Sequence, residues 1–284
     1  MKFCVIDVGS NSVRLMLSEG CKTKYKKVKI TRLAENLGKE RFLCPNAVDR
    51  TINAINDFYR EAIKEKPSKI YIFATAAVRQ AKNGFEFCEK VKKITGLTVD
   101  VVSGEVEAEL GVKGALKGGF GGLIDIGGAS TEVALISTNR RFSKSYPIGA
   151  GTLTDKMKDR DACLVLEEVF LDLPLDLGDN FYGIGGTATS VSAMMQELKE
   201  YNPSLVDGYF IDKNRLLILK EKLSILTEDE ISLLHGVQKG REGVIYAGVC
   251  ILFYLMDKLN LSGITVSESD NLEGYLRYIR GENE

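Results

Sequence analysis

Twice along the chain an apolar run stops at an aspartate, breaks into a turn of small residues, and resumes its alternation on the far side. The first copy is Val5-Ile6-Asp7-Val8-Gly9-Ser10-Asn11-Ser12, followed by Val13, Leu15 and Leu17. The second is Leu123-Ile124-Asp125-Ile126-Gly127-Gly128-Ala129-Ser130, followed by Val133, Leu135 and Ile136. Both read as strand, tight turn, strand, so the pattern predicts a duplicated β-hairpin. Small residues in such a turn leave the backbone N–H groups unobstructed. A phosphate cradled between two facing turns, with the aspartates holding a cation, is the chemistry this repeat predicts.

Elsewhere strands and helices alternate. A third strand is expected over 25–31, and Pro45 opens a helix in which Val48, Ile52, Ile55, Phe58, Tyr59 and Ile63 keep helical spacing. Strands at 69–75 and 98–102 enclose Ala76-Ala77-Val78-Arg79 and a helix over 84–95 that Gly96 stops. A helix carrying Glu105, Glu107 and Glu109 follows Ser103-Gly104, and the glycines at 118, 119, 121 and 122 form a hinge into the second copy. After that hinge come strands at 122–125, 132–137 and 141–147, the turn Gly149-Ala150-Gly151-Thr152 and a helical region. A strand at 181–184 runs into Gly185-Gly186-Thr187-Ala188-Thr189, which opens a helix through Lys199. Thr227 and Glu230 make a capping box, a long apolar helix spans 241–259, and a strand at 264–267 precedes a last helix over 271–279. Alternating elements around two long repeats predict an α/β protein of two domains, 1–118 and 119–284.

Composition agrees and narrows the function. The 284 residues are 44% hydrophobic and 27% charged, ordinary for about two domains with sizeable cores. A net charge of −1 excludes a chain-wide footprint for nucleic acid or an anionic membrane. The six cysteines, Cys4, Cys21, Cys44, Cys88, Cys163 and Cys250, include no C-x-x-C pair and read as buried free thiols of a reducing cytoplasm. The N-terminus enters a strand directly, so no signal peptide is expected, and the apolar run 247–256 is too short to span a bilayer. The one histidine, His235, reads as a helix-end residue, with no Ser-His-Asp or Cys-His partnership and no zinc spacing around it. No G-x-x-x-x-G-K-[ST] loop is present.

Five segments occur in a telling order: Asp7-Val8-Gly9-Ser10-Asn11-Ser12 with Arg14; Ala74-Thr75-Ala76-Ala77-Val78-Arg79; Ser103-Gly104-Glu105-Val106-Glu107-Ala108; Asp125 through Glu132; and Gly185-Gly186-Thr187-Ala188-Thr189. In these segments the chain resembles the exopolyphosphatase and guanosine pentaphosphate phosphatase family, over almost its whole length. The resemblance implies two actin-like (ribonuclease H-like) domains with an interdomain cleft. It implies hydrolysis of terminal phosphates from inorganic polyphosphate or from guanosine penta- or tetraphosphate, with magnesium as cofactor. A homodimer is compatible with it, and neither nucleic acid nor membrane is an expected partner.

The resemblance also assigns residues. By spacing alone Glu105, Glu107 and Glu109 are equal candidates for a general base; position in the family motif selects Glu107. Asp125, and Asp7 more weakly, are expected to hold magnesium. Arg14, Arg79 and Arg241 are expected on the cleft as phosphate-binding guanidinium groups. The turn residues Gly9, Ser10, Asn11, Ser12, Gly127, Gly128, Ala129 and Ser130 are expected to bind phosphate, together with Gly185, Gly186 and Thr187 at a helix start. Three positions depart from the family pattern. Ala129 replaces a glycine and adds a methyl where phosphate approaches, Thr152 stands where many relatives carry arginine, and Gly243 replaces an aspartate. The chain is a short form without the C-terminal helical domains of longer members, so short polyphosphates or a nucleotide are its expected substrates. Two rival readings remain: a kinase of the same superfamily, and a non-catalytic sensor of polyphosphate or alarmone.

Overall fold

The computed structural model describes residues 1–20, 22–35, 37, 41–116, 119–139, 141–175, 177–178 and 180–281. Cys21 and Gly118, both named in the sequence reading, lie outside the described residues. The chain forms two compact units. Among the described residues, unit 1 comprises Met1–Glu107 and 275–281, and unit 2 comprises Ala108–Gly274.

In unit 1, β1 (Lys2–Val8) pairs antiparallel with β2 (Ser12–Glu19), and β2 with β3 (Lys22–Ile30). On its other side β1 runs parallel to β4 (Lys69–Ala74), and β4 to β5 (Val99–Val101), giving the order β3-β2-β1-β4-β5. The helix Pro45–Lys64 starts at its proline, as expected, and buries Val48, Ile55 and Phe58 against the same core as Cys4, Ile6 and Val8. Gly96 ends the helix Gly84–Thr95 in the left-handed region, φ 72°, where only glycine is unstrained.

In unit 2, β6 (Gly121–Ile126), β7 (Thr131–Ile136) and β8 (Arg141–Tyr146) repeat the antiparallel meander. Parallel to β6 lies β9 (Phe181–Ile184), and beside that β11 (Gly263–Val266), edged by the antiparallel β10 (Phe210–Asp212). The order β8-β7-β6-β9-β11 therefore reproduces that of unit 1, with β10 added at the edge. The duplicated hairpin is the centre of a duplicated sheet. The core of this unit packs around the helix Ile245–Lys258, whose Ala247, Val249, Ile251 and Leu255 are buried.

Several details differ from the sequence reading. The chain passes from unit 1 to unit 2 inside the helix Gly104–Ala115, and the last helix, Asn271–Ile279, rejoins unit 1 at Tyr275. Tyr275 accounts for the second point: its ring stacks on Phe73 at 4.5 Å and its hydroxyl donates to Asp100 at 3.0 Å. The helix from Gly185 ends at Met195, just before the positive φ of Glu197, and the apolar helix begins at Ile245, leaving Arg241 in the preceding turn. β10 and the helix Lys213–Ser224 were not anticipated. Among the described cysteines only Cys4 and Cys250 are buried, while Cys163 is exposed; all are free thiols. No helix among the described residues is long and apolar enough to cross a membrane.

Candidate active site

Both hairpin turns close with the same bond. Gly9 N–H donates to Ser12 O at 3.0 Å, and Gly127 N–H donates to Ser130 O at 3.0 Å. Both are also tied back by the segment that follows the meander. In unit 1, Thr31 and Arg32 N–H donate to Asn11 O, and Ala34 N–H donates to Ser10 O. In unit 2, Ala150 N–H donates to Gly127 O, and Gly151 and Thr152 N–H donate to Gly128 O. Pinning the carbonyls on one side leaves the amides for the other: among the described residues the N–H groups of Ser10, Asn11, Gly128 and Ala129 donate no backbone hydrogen bond. Such paired amides form an anion-binding concavity. The buried Asn11 Nδ2, which meets no acceptor, adds a further donor at the first turn.

The departures at Ala129 and Thr152 have structural explanations. Ala129 is 1% exposed, so its methyl is buried in the fold. Thr152 Oγ1 accepts from Gly149 N–H at 2.8 Å and donates to Gly149 O at 3.1 Å, which closes the helix start behind the turn. Gly149 is needed there, because a Cβ would stand 2.5 Å from Gly127 O. Gly243 is similar: a Cβ would lie 3.1 Å from the Glu228 carboxylate, so an aspartate would set two negative groups together.

Of the three glutamates, the helix Gly104–Ala115 buries one. Glu107 is 6% exposed, whereas Glu105 and Glu109 face solvent. Glu109 pairs with Lys113 one turn on, and hydrogen bonds from its own backbone N–H and then from Ser103 hold the Glu105 carboxyl below its ordinary range. Glu107 is held by Arg79, whose Nη1 donates to its Oε2 at 2.8 Å and to Val102 O at 2.9 Å. Arg79 thus fixes a carboxylate, a task the sequence reading did not foresee. Arg14, similarly, donates through Nε to Asp7 Oδ2 at 2.8 Å and through Nη2 to the same oxygen.

Asp125, one residue before the end of β6, has a different set of neighbours. It accepts from Asn271 Nδ2 at 3.0 Å, and its Oδ1 occupies the space beside Gly185, where a Cβ would come within 2.4 Å. Across the ladder stands Glu132, 1% exposed, accepting from Ser145 Oγ at 2.6 Å. Directly opposed residues share a sheet face. Two buried carboxylates on one face suit a hard cation that takes its remaining oxygens from water and phosphate. Asp7 suits one less well, since a guanidinium already offsets its charge. Among the described residues no group of three or more His, Cys, Asp or Glu side chains forms a ready metal cage.

Thr187 Oγ1 donates to Ile126 O at 3.0 Å, anchoring the helix Gly185–Met195 to the end of β6. The N-cap residue Ile184 has no side chain able to cap that helix, and a helix N-terminus favours negative charge, here with the Asp125 carboxylate beside Gly185. Arg241 lies on this helix start, so close that a Cβ on Gly186 would overlap its guanidinium at 1.7 Å. Its Nε donates to Gln238 Oε1 at 3.3 Å. In unit 1 the structure thus assembles Asp7, Arg14 and the first turn, and separately Arg79 with Glu107. In unit 2 it assembles Asp125, the second turn, Gly185, Gly186, Thr187 and Arg241. Sequence reasoning quoted Glu132 without giving it a role and missed Asn271. Glu132 had a signal, since it mirrors Asp125 across a hairpin of known length; Asn271 had none.

The profile of the Ppx/GppA phosphatase family matches residues 22–278. Exopolyphosphatase 2 of Mycobacterium tuberculosis is 25% identical over 315 aligned residues, which cover 99% of this chain and 99% of that protein. The crystal structure of the Aquifex aeolicus Ppx/GppA family member superposes with a TM-score of 0.81 at 27% identity, covering 100% of this chain and 99% of that one. An exopolyphosphatase from Cytophaga hutchinsonii superposes with a TM-score of 0.88 at 21% identity, covering 100% and 99%, a likeness of fold. With the repeated strand order, these neighbours make the fold a two-domain actin-like α/β fold.

Proposed function

Since this chain belongs to the Ppx/GppA phosphatase family, we propose that it releases orthophosphate from the end of inorganic polyphosphate, with guanosine pentaphosphate as a second substrate of the same site. The observation that carries this reading is Glu107, one buried glutamate between two exposed ones, oriented by Arg79. Water attacks the terminal phosphorus as Glu107 takes its proton, and the bond to the bridging oxygen breaks, leaving the shortened chain with the negative charge. In each unit, unspent turn N–H groups with a guanidinium nearby, Arg14 in unit 1 and Arg241 in unit 2, are groups of the kind that stabilise charge spreading over phosphate oxygens. Magnesium, when bound, supplies further neutralisation of those oxygens. We assign its protein ligand to Asp125, supported by Glu132, and give Asp7 the task of holding Arg14.

A sensor without catalysis is the weaker reading, because the two departures that favoured it, Ala129 and Thr152, are accounted for by burial and by the helix start behind the turn. Free thiols at the described cysteines support a reducing location. The test is phosphate release from tripolyphosphate, long-chain polyphosphate, guanosine pentaphosphate and ATP, with and without magnesium. Turnover of the first three, reduced about a hundredfold or more by Glu107→Gln with binding retained, is the expected result. Release that is absent with all four, or unchanged in the variant, overturns the proposal.

A further inference from the structure

Asn271 is 3% exposed and is the first residue of the last helix. Its Nδ2 donates to Asp125 Oδ2 from 146 positions away in sequence, while its Oδ1 meets no donor among the described residues. A carboxylate offers no proton to accept, so the amide must turn its nitrogen toward Asp125. Burying an amide with its oxygen unmet opposes folding, and an apolar side chain of the same size would serve packing better.

The surrounding backbone holds this side chain in one place. Asp270 and Glu273 cap the helix start reciprocally: Leu272 N–H donates to Asp270 Oδ1 at 2.9 Å, and Asp270 N–H donates to Glu273 Oε2 at 3.1 Å. Gly111 and Gly114 let the segment press against the helix Gly104–Ala115. A Cβ on Gly114 would stand 2.1 Å from Asp270 O, and one on Gly111 would stand 3.2 Å from Asn271 Oδ1. A mobile surface amide would need none of this.

We propose that Asn271 is a positioning residue for Asp125: its amide grips Oδ2 and so directs Oδ1 toward the Gly185 backbone, the orientation in which the carboxylate meets a cation. This rests on the assignment of Asp125 to magnesium made above. Partners that orient metal ligands are typically worth 10–100-fold in metal affinity or activity.

The test uses the full chain and has two readouts. In metal-free, nitrogen-15-labelled protein, the Asn271 side-chain amide signal, identified by its loss in Asn271→Leu, is expected to be protected from exchange and to move in Asp125→Asn. In kinetics with tripolyphosphate, Asn271→Leu is expected to raise the half-saturating magnesium concentration about 10-fold or more, with the thermal midpoint followed as a control. Asn271→Ala replaces the leucine variant if that one fails to fold. An amide signal indifferent to Asp125→Asn overturns the contact. A raised magnesium requirement in Asp125→Asn but not in either Asn271 variant leaves Asp125 a ligand and overturns the positioning role. Wild-type magnesium dependence in Asp125→Asn overturns the reading of Asp125 itself, and the inference with it.

Discussion

The hairpin β1–β2 and the hairpin β6–β7 share a backbone plan and differ in their electrostatics. Their aspartates sit at equivalent places, and the residue directly across the ladder is seven positions on in each case, Arg14 for Asp7 and Glu132 for Asp125. One aspartate therefore neutralises and orients a guanidinium, whereas the other adds its charge to a second buried carboxylate. Duplication preserved what the turn needs: the Gly–Ser closing bond, the carbonyls tied back, and the unspent amides. It did not preserve the charge, and a single cross-strand position separates an ion pair in one unit from two opposed carboxylates in the other.

Between the two aspartates, the larger expected effect comes from removing the one that faces a second carboxylate. Asp125→Asn should cost at least about 10- to 100-fold in magnesium-supported turnover, or in the magnesium concentration needed, because a neutral amide is a poor ligand for a hard cation. A magnesium titration of phosphate release measures this. Asp7→Asn should leave the magnesium requirement within about twofold, since the lost interaction is with Arg14, and should instead raise KM for polyphosphate. It should also cost about 1–2 kcal/mol of stability, less than a fully buried pair, because Arg14 remains partly solvated. Denaturant midpoints read the second effect. If Asp7→Asn raises the magnesium requirement as Asp125→Asn does, the two aspartates are equivalent and the contrast fails.

The smallest effect concerns what the hairpins share. A Cβ would approach Ser12 O to 3.1 Å at Gly9 and Ser130 O to 3.2 Å at Gly127. Gly9→Ala and Gly127→Ala should therefore destabilise by similar amounts, about 1 kcal/mol each. Thermal melts of the two variants should agree within about 0.5 kcal/mol, and a clear inequality would show that the turns are alike only in outline.

What was legible in the sequence was whatever neighbours along the chain decide. Alternation around Asp7 and Asp125 placed both hairpins, Pro45 placed a helix start, and Thr227 with Glu230 placed a capping box that the structure contains. Elements with faint local patterns were missed. The helix Lys213–Ser224 buries only Leu216 and Leu223 among its described side chains, too few to announce a face, and β10 has three residues. Helix ends were misplaced at 199 and 241 because the stop at Glu197 and the turn around Arg241 follow from packing and backbone conformation rather than apolar spacing.

The site divides along the same line. Residue order and turn chemistry named the aspartates, the amides and three candidate glutamates; spacing alone left those glutamates equal, the family motif singled out Glu107, and the folded chain supplies the physical distinction, because burial depends on what packs against a helix face. The partners of Asp7, Glu107 and Asp125 are likewise decided by tertiary structure. Arg79 reaches Glu107 across 28 positions and Asn271 reaches Asp125 across 146. Hydrogen bonds and ion pairs act over a few ångströms in space, and separation along the chain carries no information about that distance until the sheets have formed.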